Sequence, residues 1–203
     1  MYKITAAHDA ETGVSLILET DPDSGHCDPT DPNNGDAAAD IRFAVFHNRY
    51  TNPAERHGLR TVEDGRAFEA EADPAEWFVL PLWMYDHSGN VYRVGASNPF
   101  SCQWDSGRVG FVAIKRGEWG DNTDEGLAKV AETYAAEYTA WANGEVYGYT
   151  VTGPDGAEGD SCWGMIGEDY AKAQGLEAFA HAVKSARADL GAELEAARPD
   201  LHA

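Results

Sequence analysis

Apolar residues alternate with polar ones over most of the chain and settle into helical spacing only in two stretches. Residues 14–19 (VSLILE) form a strand, and residues 2–7 (YKITAA) form a weaker one of the same kind. In residues 41–50 (IRFAVFHNRY), Ile41, Phe43 and Val45 face one way and Arg42, Ala44 and Phe46 the other, which is the period of a strand. The run Trp77 to Tyr85 is apolar and aromatic, Asp86-His87-Ser88-Gly89 supplies a turn with Gly89 in the left-handed position, and Val91 to Val94 begins the return of a hairpin. Pro81 has no N–H to give a sheet, so its strand belongs at an edge or carries a bulge. Residues 107–116 (GRVGFVAIKR) are a further strand, and residues 145–167 a second hairpin turning at Pro154-Asp155-Gly156.

Helical spacing appears first between Thr123 and Trp141. Leu127, Val130, Tyr134, Tyr138 and Trp141 follow one another at steps of three, four, four and three, so one aromatic stripe runs along one face. Thr123 suits the N-cap and Asn143-Gly144 the stop. From Glu168 an Ala-rich helix carries Leu176, Phe179, Val183, Leu190 and Leu194 on one face, and Arg198-Pro199 ends it. Residues 52–59 read as a turn or one helical turn, and residues 61–74 as at most a short helix broken at Gly65. Strands followed by helix, hairpin and helix predict a single α+β domain over 1–203. Its mostly antiparallel sheet carries two main helices, the second spanning about 168–198.

Residues 20–40 interrupt this pattern. They hold six Asp, three Pro and no Lys or Arg, and read as a solvated acidic loop or insertion. Asp21, Asp23, Asp28, Asp31 and Asp36 lack the spacing and terminal Glu of a calcium loop. The whole chain shares the bias: 15 Lys and Arg against 35 Asp and Glu leave a net charge of −20. Such a surface repels phosphates, which excludes direct nucleic-acid reading and anionic membranes as partners. It suits a basic protein surface, including one that also binds DNA, so DNA mimicry is an open class. No apolar run approaches the length of a membrane span, and the N-terminus has no signal-peptide layout. Three Cys without CxxC spacing point to free thiols in a cytosol, with no metal pattern and no cofactor expected.

Candidate chemistry gathers in residues 98–111 (NPFSCQWDSGRVGF) and its shorter echo, residues 159–167 (GDSCWGMIG). Cys102 could act as a nucleophile with His87 as its base and Asp86 or Asp105 to orient it, yet no family-specific motif surrounds it. Asp105-Ser106-Gly107 and the Asp86–Gly89 turn suit surface contacts, whether they are turns alone or meet a ligand. The ligand or partner set is therefore Asp86, His87, Ser88, Cys102, Trp104, Asp105, Ser106, Arg108 and Trp163, with no residue assigned as catalytic. The two segments are expected side by side in one sheet, with Cys and Trp filling the core and Asp105, Ser106 and the turn nearer the surface.

The stretches LPLWMYDHSGNVYRVGASNPFSCQWDSGRVGFVAI, NGEVYGYTV and DSCWGMIG resemble a family of small proteins encoded by tailed bacteriophages and related mobile elements. That family carries L-P-L-Y-x-Y-D-H-S-G, then P-F-S-C-x-W-D-S-G-x-V-G-F, then G-D-V-Y-G-Y and D-S-C-W-G-F-Y-G. Its F-H-x-R-Y segment is matched by Phe46, His47, Asn48, Arg49 and Tyr50. The chain departs in its acidic insertion, in Val91-Tyr92-Arg93 and in Met165-Ile166. The resemblance implies an accessory protein acting in the host bacterial cytoplasm, and no catalytic residues. The expectation is a non-enzymatic acidic binder that inhibits a host defence protein. A nucleotide-sequestering protein is the first alternative and a thiol enzyme using Cys102 and His87 the second.

Overall fold

A computed structural model of the chain describes residues 3–34, 37–119 and 121–196. The fold is α+β, and every strand pairing is antiparallel. The strands fall into two four-stranded sheets rather than the one sheet expected, and the chain divides into two compact units. The first unit comprises residues 1–24 and 144–203; the second is the continuous stretch 25–143.

In the first unit, β1 (Lys3–His8), β2 (Ser15–Thr20), β7 (Val146–Thr152) and β8 (Glu158–Ile166) lie in that order. The turn between β7 and β8 is the expected one, with Gly156 at φ 77°. Helix α4 (Glu168–Ala196) lies on this sheet. Val14, Leu16, Leu18, Tyr149, Val151, Ala171 and Val183 form its core. Of the expected apolar face, Leu176, Leu190 and Leu194 are exposed, the last two where the helix emerges into solvent beyond Val183. The Arg198-Pro199 stop lies outside the described residues.

The second unit is built around β3 (Ile41–Val45), β6 (Ser106–Lys115), β4 (Trp77–Asp86) and β5 (Asn90–Val94), in that spatial order. β3 stops at Val45, short of the expected residue 50; Phe46 still donates to the Val109 carbonyl at 2.7 Å, and on the outer edge the Asn52 side chain accepts the Val45 N–H at 3.0 Å. Helix α3 (Asp124–Ala142) covers one face, where Phe43, Val45, Leu82, Met84, Val112 and Ile114 meet Leu127, Tyr134 and Tyr138. Its cap is the expected Thr123, whose hydroxyl accepts the Gly126 N–H at 3.0 Å. On the other face, Ala44, Phe111 and Ala113 meet Ala54, Leu59 and Phe68, contributed by a short 3-10 turn (Pro53–His57) and by α2 (Val62–Glu71). Gly65 does not break α2. A Cβ at that position would collide with the Phe46 ring, so the glycine brings the helix onto the sheet.

β4 is an interior strand only along Leu82–Asp86, where β5 pairs with it. Pro81 falls just where β5 has ended and beside a register shift at Leu82/Trp83, so its missing N–H leaves no gap in a ladder. The outer edge of β5 is covered by α3: Thr139 accepts the Tyr92 N–H at 2.9 Å, and Asn143 bonds both the N–H and the carbonyl of Asn90. Among the described residues, no helix is long and apolar enough to cross a membrane.

Candidate functional site

Three segments meet at one end of the second unit's sheet: residues 46–50 after β3, the β4–β5 turn at residues 87–89, and the loop of residues 95–105 that leads into β6. Asp86 ends β4 and anchors them. Its carboxylate accepts from the Tyr50 hydroxyl at 3.0 Å and from the Arg49 guanidinium, while its N–H donates to the Asp105 carbonyl at 2.8 Å. Arg49 lies over the Tyr50 ring, and His47 stacks on the same ring at 5.1 Å. Burial of the Tyr50 hydroxyl, reinforced by its bond to Asp86, pushes its pKa upward.

The turn itself differs from expectation in one respect. Gly89 has a positive φ, 157°, as the sequence predicts, but Ser88 takes one as well, at 58°. Its hydroxyl donates to the preceding carbonyl of His87, so the serine serves the turn. His87 stands outward, its Nδ1 3.8 Å from Asp105 Oδ2. The same oxygen accepts from the Cys102 thiol at 3.2 Å. A carboxylate thus sits between imidazole and sulfur, and among the described residues no contact joins His87 to Cys102 directly. For a nucleophilic thiolate the order is wrong, because the sulfur faces a carboxylate, whose negative charge opposes that of a thiolate, and not the imidazole.

The loop is fastened at several points. Ser106 donates to the Cys102 carbonyl and accepts from Asn98 at 2.9 Å; Asn98 also accepts the Phe100 N–H at 3.0 Å. Phe100 stacks on Tyr85 at 5.6 Å, the Arg93 guanidinium lies over the Phe100 ring at 5.4 Å, and Trp83 Nε1 donates to the Gly95 carbonyl. Trp104 projects from this fastened loop at 96% exposure. It was expected in the core, and the correction has a local cause. Cys102 and Asp105 close a tight turn through their side chains, and Ser106 holds the Cys102 carbonyl, which turns both residues between them, Gln103 and Trp104, outward.

Arg108 is turned away from this cluster, bonding Glu69 of α2 and the Gly110 carbonyl. Trp163 belongs to the first unit, as does Cys162, so the two SC-W segments are not neighbours in one sheet. Cys162 and Trp163 are exposed rather than core. Trp163 lies across Gly148 on the adjacent strand, where any Cβ would strike its ring. That packing explains the glycine and the tryptophan together, without a ligand.

The acidic segment makes Asx turns. Asp28 accepts from the Thr30 N–H at 2.8 Å, Asp31 from the Asn33 N–H at 2.9 Å and Asp21 from the Asp23 N–H at 2.8 Å. Asp36 lies outside the described residues. Sequence reasoning did not include Arg49, Tyr50 or Phe100 in the site. The matched F-H-x-R-Y segment carried the signal for the first two, but nothing in spacing alone ties Tyr50 to Asp86, 36 residues on. The class defined here is an α+β protein of antiparallel sheets with an open surface cluster around a projecting tryptophan. Comparison with protein-family models, curated proteins and solved structures finds no match to this chain.

Proposed function

We propose that the protein is a non-enzymatic binder of a basic protein surface, with Trp104 as its anchor. The observation that carries this reading is an indole 96% exposed on a loop whose backbone is fastened by side-chain bonds. Tryptophan is the residue most enriched at the energetic centres of interfaces, and a loop ordered in advance spends little conformational entropy on binding. Charge supplies the partner's sign. Arg49, Arg56, Arg108, Arg116 and Arg187 are all held in ion pairs within the protein, so its few cations are partly neutralised at home. The net charge of −20 therefore faces outward with little to offset it.

The resemblance to phage accessory proteins supplies the setting: a host protein in the bacterial cytoplasm, of the kind whose basic face also meets nucleic acid. Inhibition follows if that face is the one occupied. The test is to identify the partner that native mass spectrometry finds with the full chain, then measure its affinity against salt. The expected partner is basic, its Kd rises steeply from about 50 to about 500 mM salt, and Trp104→Ala weakens binding at least about 30-fold. Salt-independent binding, an acidic partner, or an unchanged Trp104→Ala variant overturns the reading.

A further inference from the structure

The second unit carries a cleft of about 400 Å³ along α3 that shares no lining residue with the Trp104 cluster. This volume is in the range of small-molecule sites. Its apolar side is made by Val130 and Tyr134, one helical turn apart, together with Ile41, Pro29 and Trp119. The second row of the same helix, Lys129, Thr133 and Glu137, is polar and runs along the cleft at steps of four. One flat apolar wall therefore runs beside a polar edge with a cation at one end and a carboxyl at the other, about 12 Å apart along the axis.

Three further features bear on what would fit. The Trp119 indole N–H is buried and has no acceptor among the described residues, a deficit worth about 1–3 kcal/mol wherever it occurs. Lys129 makes no ion pair or hydrogen bond among the described residues; Asp121 feels its charge but spends its own oxygen on Thr123. Glu137 also lacks a partner among the described residues. It still reaches solvent, yet the protein packed around its carboxyl pushes its pKa upward. By contrast Tyr134 is spoken for, its hydroxyl donating to the Pro29 carbonyl at 2.8 Å.

We infer that this cleft binds a small planar aromatic monoanion, its ring against Val130, Tyr134 and Trp119 and its charged group at Lys129. In a chain of net charge −20, a cation outside any ion pair among the described residues, at the lip of an aromatic cleft, selects the sign of the ligand. Glu137 at the far end sets a limit of one charge, since a second anionic group there would meet a carboxylate or have to share its proton. The Trp119 indole N–H is itself sealed from solvent, so the ligand meets the ring and not this donor. This inference is independent of the partner proposed above, and its test involves no partner.

The probe is anilinonaphthalene sulfonate, an aromatic monoanion, compared with phenylnaphthylamine, its neutral counterpart, in fluorescence titrations of the full chain. The expected result is one saturable site for the sulfonate. Val130→Trp, which fills the cleft, should weaken it at least about tenfold. Lys129→Glu should weaken the sulfonate about tenfold while changing the neutral probe less than about twofold. If Val130→Trp does not fold, Thr133→Trp narrows the mouth from an exposed position and carries the same expectation. Sulfonate binding that survives the filled cleft comes from an apolar surface elsewhere and overturns the inference. Equal losses of both probes in Lys129→Glu overturn the choice of an anion.

Discussion

An indole held in water at 96% exposure adds nothing to the stability of the fold that presents it. Trp104→Ala should therefore leave unfolding free energy within about 0.5 kcal/mol of the parent while removing most of the affinity for a partner. Chemical denaturation checks the first half, and a large loss of stability would mean that the side chain packs where it is here exposed. Gly110 shows the opposite relation. On β6, between β3 and β4, a Cβ would run into the backbone carbonyl oxygen of Ala44, and neither strand can yield without breaking its ladder. Gly110→Ala should lose about 3 kcal/mol. Gly107→Ala, on the same strand with nothing near its would-be Cβ, should stay within about 0.5 kcal/mol. Equal melting temperatures for the two variants would refute the close-approach argument. Neither glycine's role is legible in GRVGFVAIKR, because the sequence shows the missing side chain and not the backbone opposite it. Trp104 was misplaced for a related reason: an aromatic beside a strand is core or anchor depending on which way the loop turns, and that is set by Cys102, Asp105 and Ser106.

At the scale of elements, α3 was readable almost in full. The stripe, the Thr123 cap and the Asn143-Gly144 stop all stand as expected, because each depends on residues within a turn or two of one another. The β4–β5 and β7–β8 hairpins were readable on the same ground. Pairings such as β2 with β7 were not. Alternation tells which face of a strand is buried but says nothing about which of several distant strands lies alongside. The stripe on α3 also makes a pH prediction. The Phe43 ring is surrounded by Tyr92, Tyr134 and Tyr138, with the last at 4.4 Å. Burial raises the pKa of all three phenols, that of Tyr138 to about 12 and those of Tyr92 and Tyr134 further. A folded pKa above the unfolded one means that the folded state holds the proton longer. The stabilisation is complete below about pH 10 and is lost as pH rises above it, at about 1.4 kcal/mol per pH unit for each tyrosine. Tyrosinate absorbance and far-UV circular dichroism should thus show these phenols ionising together with loss of helix above about pH 10. Nine tyrosines titrating as one class, with helicity retained throughout, would contradict the packing of this stripe.

For the whole molecule, the informative fact is how cleanly the cores divide. The clusters around Phe43 and around Phe111 draw every member from residues 25–143, and the cluster around Leu16 draws every member from the two flanking stretches. Sequence reading did not find this division: its first boundary, between Ser24 and Gly25, lies inside the Pro- and Asp-rich stretch read as a loop, and nothing in composition says that the strands on either side of that loop join different sheets. The boundary is topological: the first unit is interrupted in sequence, while the second is one continuous run of 119 residues. That length is ample for an independent core, since single domains well below 100 residues fold alone. The second unit also covers its own weak points, with α3 side chains bonding the β5 edge and Asn52 accepting the Val45 N–H on the β3 edge. A fragment of residues 25–143 should therefore express as a folded protein with a cooperative thermal transition and the same alkaline tyrosine behaviour as the full chain. It keeps Trp104, so under the binder reading it should retain part of the affinity for the basic partner. It carries only part of the negative charge, so its salt dependence should be shallower. A fragment with helical signal but no cooperative melt would show that the second unit needs residues outside 25–143 to hold its fold.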